Sequence, residues 1–457
     1  MKLYTLIILA IMVGCTRNAQ YRTNDEVACL SIFKACSSAG YEKYDGFEIG
    51  YVEYSERGND FNPNRTRRIL KKLKSSVANN ERLAIIIYTP GWKHNSEEHD
   101  SNVFDFKQSM QELYDTEILP RDYKLVGLYI GWRGKSLIFP KTISYWDRKE
   151  VAEEVGRGGL TELFLNINEI DSMRKDNIML TVGHSFGGAM VLSSLNDILL
   201  SKLIDGQNGR VVKGIGNSIV LLNPAIEANQ GLTLKENSMK LGVSQTISPT
   251  ILYVISSKGD TATHTAFPLG QMLGVSATWK QAILERDYLP KGIQLKESTM
   301  DVTTIGNYEL FRTGEFYDES EASNTNTALS IPILSLLSAT PSFQGYDSYC
   351  YGAVSRKDVV TIPCNQNEAI EFLYTPKSLI KDHNDIFNPA VKGLLAAIIN
   401  KSLYEEASYY GDSKFNFEPC LDRGKFNFGE CMSHYRRISE DYKKLINEQF
   451  AKRANKF

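Results

Sequence analysis

Apolar residues fall along this chain in two textures. The first is the short unbroken run: Leu83 to Tyr88, Leu125 to Ile130, Ile178 to Val182, and then residues 218–225, 250–257 and 369–375. Runs rich in β-branched and aliphatic residues, with no polar alternation, predict strands covered on both faces, as in a parallel sheet. The second texture is the helical stripe. It marks residues 101–116, the stretch after Gly187 with Leu192, Leu195 and Leu199, and VKGLLAAIINKSL after the last strand. Residues 46–56 alternate instead, with Phe47, Ile49, Tyr51 and Tyr54 as inward or edge positions of one more strand. Strand and helix in turn predict an α/β fold with a mostly parallel central sheet flanked by helices.

Two regions break the rhythm. Residues 290–365 are polar, Ser/Thr/Asn-rich around ESEASNTNT, with strand-like pieces near Val302 to Phe311, and read as an insertion before the last strand. From residue 403 the chain carries a charged helix, YRRISEDYKKLINEQF, with weak apolar spacing, expected as a C-terminal helical appendage. The expected division is 1–14 signal peptide, 15–45 tether, 46–402 the α/β domain with its insertion, and 403–457 the appendage.

The amino terminus changes the picture of where the protein works. MKLYTLIILAIMVGC has one Lys, then an apolar run from Leu3 to Val13, too short to span a bilayer and suited to a signal-peptide core. A small residue and then Cys15 at its end resembles the lipobox of bacterial lipoproteins. On that reading the cysteine is acylated, and the expectation is an exported protein, lipid-anchored at a bacterial cell envelope. Beyond Cys15 six cysteines remain, an even number for an oxidising compartment. Pairing of neighbours would give Cys29–Cys36, Cys350–Cys364 and Cys420–Cys431, although spacing alone leaves all pairings open.

Charge excludes one class of partner. The formal net charge is -2 and the charges are scattered, so no basic footprint for nucleic acid is visible. The basic helix TRRILKKLKSSV reads as a solvated face. His94 and His99 have a spacing that lacks the H-E-x-x-H arrangement of a zinc site, and no metal or cofactor is expected.

The chemistry centres on Gly183-His184-Ser185-Phe186-Gly187, a G-x-S-x-G between a buried strand and a helix. Such a strand turns so sharply into the helix that the serine hydroxyl stands at the crest, and the glycines remove side chains that would collide across the turn. A serine nucleophile needs a base, and the base needs an orienting carboxylate. Asp260 lies just past the strand 250–257, and His383 just past the last strand. In open α/β sheets the carboxyl ends of strands are where ligands bind. His264 competes as the base, and Asp382 and Asp347 as the acid. The oxyanion needs two N–H donors. Phe186 supplies one; the other belongs to Thr89-Pro90-Gly91-Trp92, where Pro90 has no N–H, leaving Trp92 or Gly91. Trp132 and Arg133, after another strand, are candidate substrate-binding residues, with an ion pair as the alternative role of Arg133.

With PGWKHNS, LYIGWRGKS, WDRK, GHSFGG, LLNPA, SSKGDTAT and HNDIF, the chain resembles the α/β-hydrolase superfamily and a lipoprotein-type bacterial branch of serine hydrolases, over roughly residues 46–290 and 366–402. The order Ser185, Asp260, His383 is that of its triads. The resemblance implies hydrolysis of a carboxylic ester, on a small-molecule or lipid substrate, through an acyl-enzyme. A lipase acting on membrane lipid is the narrower form of this expectation, with the apolar stretch LSIPILSLL at 329–337 as a lid. The contrasting expectation is a non-catalytic binding protein of the same fold, which Pro90 motivates.

Overall fold

The computed structural model describes residues 19–134, 141–241, 249–275, 282–286, 294–316, 346–348, 369–410, 417–422 and 425–454. Cys15, Cys350, Cys364 and the stretch 329–337 lie outside the described residues. The chain divides into two compact units, residues 1–111 with 122–196, and residues 112–121 with 197–457.

Among the described residues the first unit holds six strands: β1 (Asn24–Ala28), β2 (Ala39–Lys43), β3 (Phe47–Glu53), β4 (Arg82–Thr89), β5 (Tyr123–Gly131) and β6 (Ile178–His184). Their order is β1-β2-β3-β5-β4-β6. Only the β2–β3 pair is antiparallel. The apolar runs that predicted strands are the central ones, with Leu83, Ala84, Ile85 and Ile87 on β4 and Val126, Leu128 and Ile130 on β5 wholly buried. Parallel neighbours require crossovers, here α1 (Pro63–Ala78), α2 (Ser101–Asp115), and α3 (Lys141–Val155) with α4 (Thr161–Asp171). The step from β4 back to β5 and the step from β5 on to β6 run in opposite directions. With right-handed crossovers, their helices cover opposite faces of the sheet.

Part of the stretch expected as tether, through residue 45, is packed structure: Asn24–Ala28 and Ala39–Lys43 form β1 and β2, and Arg22 is fully buried. Its guanidinium pairs with Glu42 at 2.8 Å, its Nε donates to the Ser96 carbonyl at 2.6 Å, and its backbone N–H donates to Glu53 at 3.0 Å. Both strands are only five residues long and carry several charges, so neither shows an apolar run. Cys29 and Cys36 form the disulfide expected for them, between β1 and β2.

The second unit holds β7 (Ser218–Leu222), β8 (Leu252–Ser257), β9 (Gly314–Phe316), β10 (Tyr346–Ser348) and β11 (Ile370–Thr375), in the order β7-β8-β11-β9-β10. All pairs but β9–β10 are parallel. The region read as an insertion is woven into this sheet, because β9 pairs directly with β11. Between Val302 and Phe311 the chain forms no named strand: the helix Glu297–Val302 is followed by a bridge of Thr304 to Glu227 and a 3-10 turn at Glu309–Phe311.

Helices α5 (Phe186–Gln207), α6 (Ala228–Leu241), α7 (Pro389–Tyr410) and α8 (Phe428–Ala454) are the longer helices that follow, with a shorter one at Phe267–Val275. The helix expected as an appendage buries Met432, Tyr435, Ser439, Tyr442 and Ile446, which recur every three or four residues. This is the seam of a closely packed helix pair. It lies against α7 so closely that a Cβ on Gly393 would come within 2.5 Å of the Arg436 nitrogen. The stripe was hard to see because two of its members are tyrosines and one a serine. The expected Cys420–Cys431 disulfide ties the start of α8 to the preceding turn.

Candidate functional site

In the first unit the turn from β6 into α5 is built from backbone crowding. Ser185 has a positive φ of 54°. That left-handed conformation costs an L-residue about 1–2 kcal/mol and marks a position held by its surroundings. The glycines make the turn possible. A Cβ on Gly183 would meet the Gly187 carbonyl oxygen and Gly188 Cα at 2.9 Å, and one on Gly187 would lie 2.0 Å from the Thr89 carbonyl oxygen. Ser185 and Phe186 are both buried. Phe186 opens α5, so its amide is among the first N–H groups of a 22-residue helix, aligned with the positive end of the dipole.

Strands β4 and β6 are neighbours in parallel register, with Thr89 opposite Gly183. Their carboxyl ends therefore bring the loop 89–92 against the elbow. Gly91 is pressed on the serine itself, since a Cβ there would fall 2.8 Å from Ser185 Cβ. The peptide between Gly91 and Trp92, whose N–H belongs to Trp92, thus adjoins Ser185. The loop is clamped from behind. The Trp132 indole N–H donates to the Pro90 carbonyl at 2.9 Å, and the Lys93 N–H, at a residue with φ 73°, donates to the Gly134 carbonyl at 2.8 Å.

Trp132 is buried behind this loop and holds it in place. Arg133 and Arg148 both pair with Glu56, at 2.8 and 2.6 Å, so the ion-pair role is the one observed for Arg133. Trp92 is half-buried, with the Lys93 ammonium 4.5 Å from its ring centroid. His94 bonds Asp100 at 2.9 Å, at the entry to α2.

In the second unit Asp260 and His383 come together, Asp260 Oδ2 lying 2.8 Å from His383 Nδ1. They are 123 residues apart in sequence. Asp260 is fully buried, and four donors converge on it. Oδ1 accepts from the Ala262 and Thr263 amides at 2.9 and 3.1 Å, and Oδ2 accepts from the Thr263 hydroxyl at 2.6 Å as well as from His383. Four acceptances match the capacity of an ionised carboxylate. Burial alone would raise its pKa; the His383 and Thr263 bonds outweigh burial and hold the carboxyl below its ordinary value. Asn307 donates to the Thr263 hydroxyl at 3.0 Å, which directs the hydroxyl proton toward Asp260.

The loop carrying His383 is fastened to the ends of β7 and β8. Ser257 Oγ donates to the Ile380 carbonyl at 2.5 Å. Asn223, itself at φ 45°, donates to the His383 carbonyl at 3.3 Å and accepts from the Ser257 amide at 3.1 Å. Gly259 must be a glycine, because a Cβ would sit 2.1 Å from the Lys381 carbonyl oxygen. The competing groups are otherwise engaged. His264 Nε2 lies 2.9 Å from the Tyr374 hydroxyl, and burial foremost lowers its pKa. Asp382 is exposed and caps its own loop through the Asn384 amide. Asp347 lies on β10 and has no described side chain.

Sequence reading overlooked Asn223, Ser257, Thr263 and Asn307. Thr263, three residues after Asp260, carried a signal in the Asp-x-x-Thr turn pattern. Asn223 stood within LLNPA at a strand end, whereas nothing near Asn307 marks it. No family model, curated protein or solved structure matches the chain.

Proposed function

We propose that the protein is a serine hydrolase of the α/β-hydrolase type that cleaves a carboxylic ester through an acyl-enzyme, anchored to the cell envelope by an acylated Cys15. The observation that carries this reading is the left-handed backbone of Ser185 at a strand-to-helix turn. A non-glycine residue is held in that conformation where its hydroxyl and the helix N-terminus coincide. The Asp260–His383 pair supplies the complementary chemistry.

In this mechanism the His383 Nδ1–H is donated to Asp260, so the neutral ring carries its basic lone pair on Nε2. That nitrogen takes the Ser185 proton as Oγ attacks the ester carbonyl. The carbonyl oxygen becomes an oxyanion, stabilised by the Phe186 and Trp92 amides. Collapse breaks the carbon–oxygen bond to the alcohol, which leaves with the proton held by His383. Water then attacks the acyl-Ser185 ester by the same route, releasing the acid and restoring the serine. Asp260 stays ionised and stabilises the imidazolium, a role that its four donors and lowered pKa support.

A fluorophosphonate probe tests the assignment. Wild-type protein should be labelled at Ser185, and Ser185→Ala should abolish the label. Labelling that persists on another residue rejects the nucleophile. A folded, monodisperse wild type that stays unlabelled supports the second reading, a non-catalytic binding protein, for which the missing N–H of Pro90 speaks.

A further inference from the structure

The chain enters the first unit at the same edge of the sheet as the candidate nucleophile. Ala19 lines a small cavity with Glu53 and Gly131, the last residues of β3 and β5, and with Trp132 and Arg133. Trp132 holds Pro90, and Gly91 touches Ser185. The entry point is also tied down. Arg22 is buried under an ion pair to Glu42, its guanidinium carbon 3.7 Å from the Tyr51 ring centroid, and the Tyr21 amide donates to Glu53 at 2.7 Å.

The stretch between Cys15 and the packed entry is therefore short. Only four residue steps separate Cys15 from Ala19, a reach of at most about 14 Å. The headgroup layer on each side of a bilayer is itself about 5–8 Å deep. An acyl chain on Cys15 would thus hold the carboxyl-terminal edge of this sheet in or directly above the headgroups. The opposite edge, where β4 starts at Arg82, lies about 26 Å away along the eight residues of the strand. A 30-residue tether of the kind the sequence suggested would have imposed no such orientation.

Building on the hydrolase reading above, we propose that the substrate is a long-chain carboxylic ester resident in the membrane, presented to Ser185 because the short, Arg22-locked leash turns the mouth of the site toward the bilayer. A water-soluble ester gains nothing from this orientation. A lipid ester gains both proximity and a fixed direction of approach.

Two measurements on the acylated full-length protein, in phosphatidylcholine vesicles, test it. The first is independent of catalysis. A fluorophore placed at Lys93→Cys, beside the candidate site, should be quenched at least about 3-fold more by spin-labelled lipid than one at Glu81→Cys, at the start of β4. Equal quenching, stronger quenching at position 81, or an intact mass showing Cys15 without an acyl group overturns the proposal.

The second compares a vesicle-embedded long-chain ester with a short-chain soluble ester after 20 Gly/Ser residues are inserted between Arg17 and Asn18. Because effective concentration falls roughly as the −3/2 power of tether length, turnover of the embedded ester should fall about 10-fold. Soluble turnover should stay constant. Undiminished turnover of the embedded ester defeats the proposal while leaving the hydrolase intact. Failure of the wild type on both esters, with Ser185 unlabelled, rejects the hydrolase reading; the quenching result then still decides orientation.

Discussion

The turn at Ser185 and the hydrogen-bonded pair of Asp260 and His383 are held by different physics. The elbow is determined by close backbone approach: Gly183, Gly187 and Gly91 each sit where a Cβ would come within 3 Å of another part of the turn. The pair is held by directed hydrogen bonds from side chains and loop amides: Thr263 and His383 on Asp260, Ser257 and Asn223 on the His383 loop. Backbone crowding admits no partial substitute. A hydrogen-bond network can lose one member and keep its shape. The two regions should therefore fail differently, the elbow through folding and the pair through chemistry.

The sharpest separation comes from Gly187→Val. Its Cβ would overlap the Thr89 carbonyl, a backbone atom of the central strand that cannot swing aside. A loss of about 4 kcal/mol or more is expected, read as loss of soluble, cooperatively melting protein. A well-folded Gly187→Val variant would break the comparison.

Asp260→Asn is the counterpart in the pair. It should leave the fold intact but lower kcat by about 10⁴-fold, because the amide no longer fixes the His383 tautomer. The same variant tests the pH dependence. Asp260 is held below its ordinary pKa when folded, so its contribution to stability is present above the unfolded value, about 3.9, and is lost as pH falls through the lower folded value. Wild type should thus lose melting temperature below about pH 4 through this group, and Asp260→Asn should show a shallower acid limb.

Thr263→Val removes one hydrogen bond to a buried charge. From about 1.5–3 kcal/mol for such a bond, a roughly 10- to 100-fold fall in kcat is expected, with KM little changed. Thr263→Ser should restore most of it, because the hydroxyl and its Asn307 donor are retained. Valine behaving like wild type would show that the hydroxyl only packs.

The smallest expected effect on stability belongs to Ser185→Gly. On the proposed mechanism it should remove turnover, and it relieves the positive φ. After the extra chain entropy of glycine is subtracted, a gain of about 0.5 kcal/mol remains, visible as a slightly raised melting temperature. A fall in melting temperature would place the serine hydroxyl among the groups that hold the fold.

Much of the fold was legible because parallel strands buried on both faces leave unbroken apolar runs, and β4 to β8 and β11 all stood where those runs lie. The elbow was legible because crowding admits so few residue types that glycine spacing becomes a signal. Asp260 and His383 could be singled out as residues just beyond strand ends. Their pairing is a contact across 123 residues, while His264, the nearer histidine in sequence, has its Nε2 against the Tyr374 hydroxyl.

Other features were decided by tertiary structure alone. Asn24–Ala28 and Ala39–Lys43 became strands, and Arg22 is buried because Glu42 and the Ser96 carbonyl offset the cost of burying a guanidinium, a compensation that no local pattern encodes. The charged helix near the carboxyl end packs closely on α7 through a buried stripe that includes Tyr435 and Tyr442. Local sequence determines how the backbone runs and which turns are sterically possible. Which polar groups go inside depends on partners that only the folded chain brings within 3 Å.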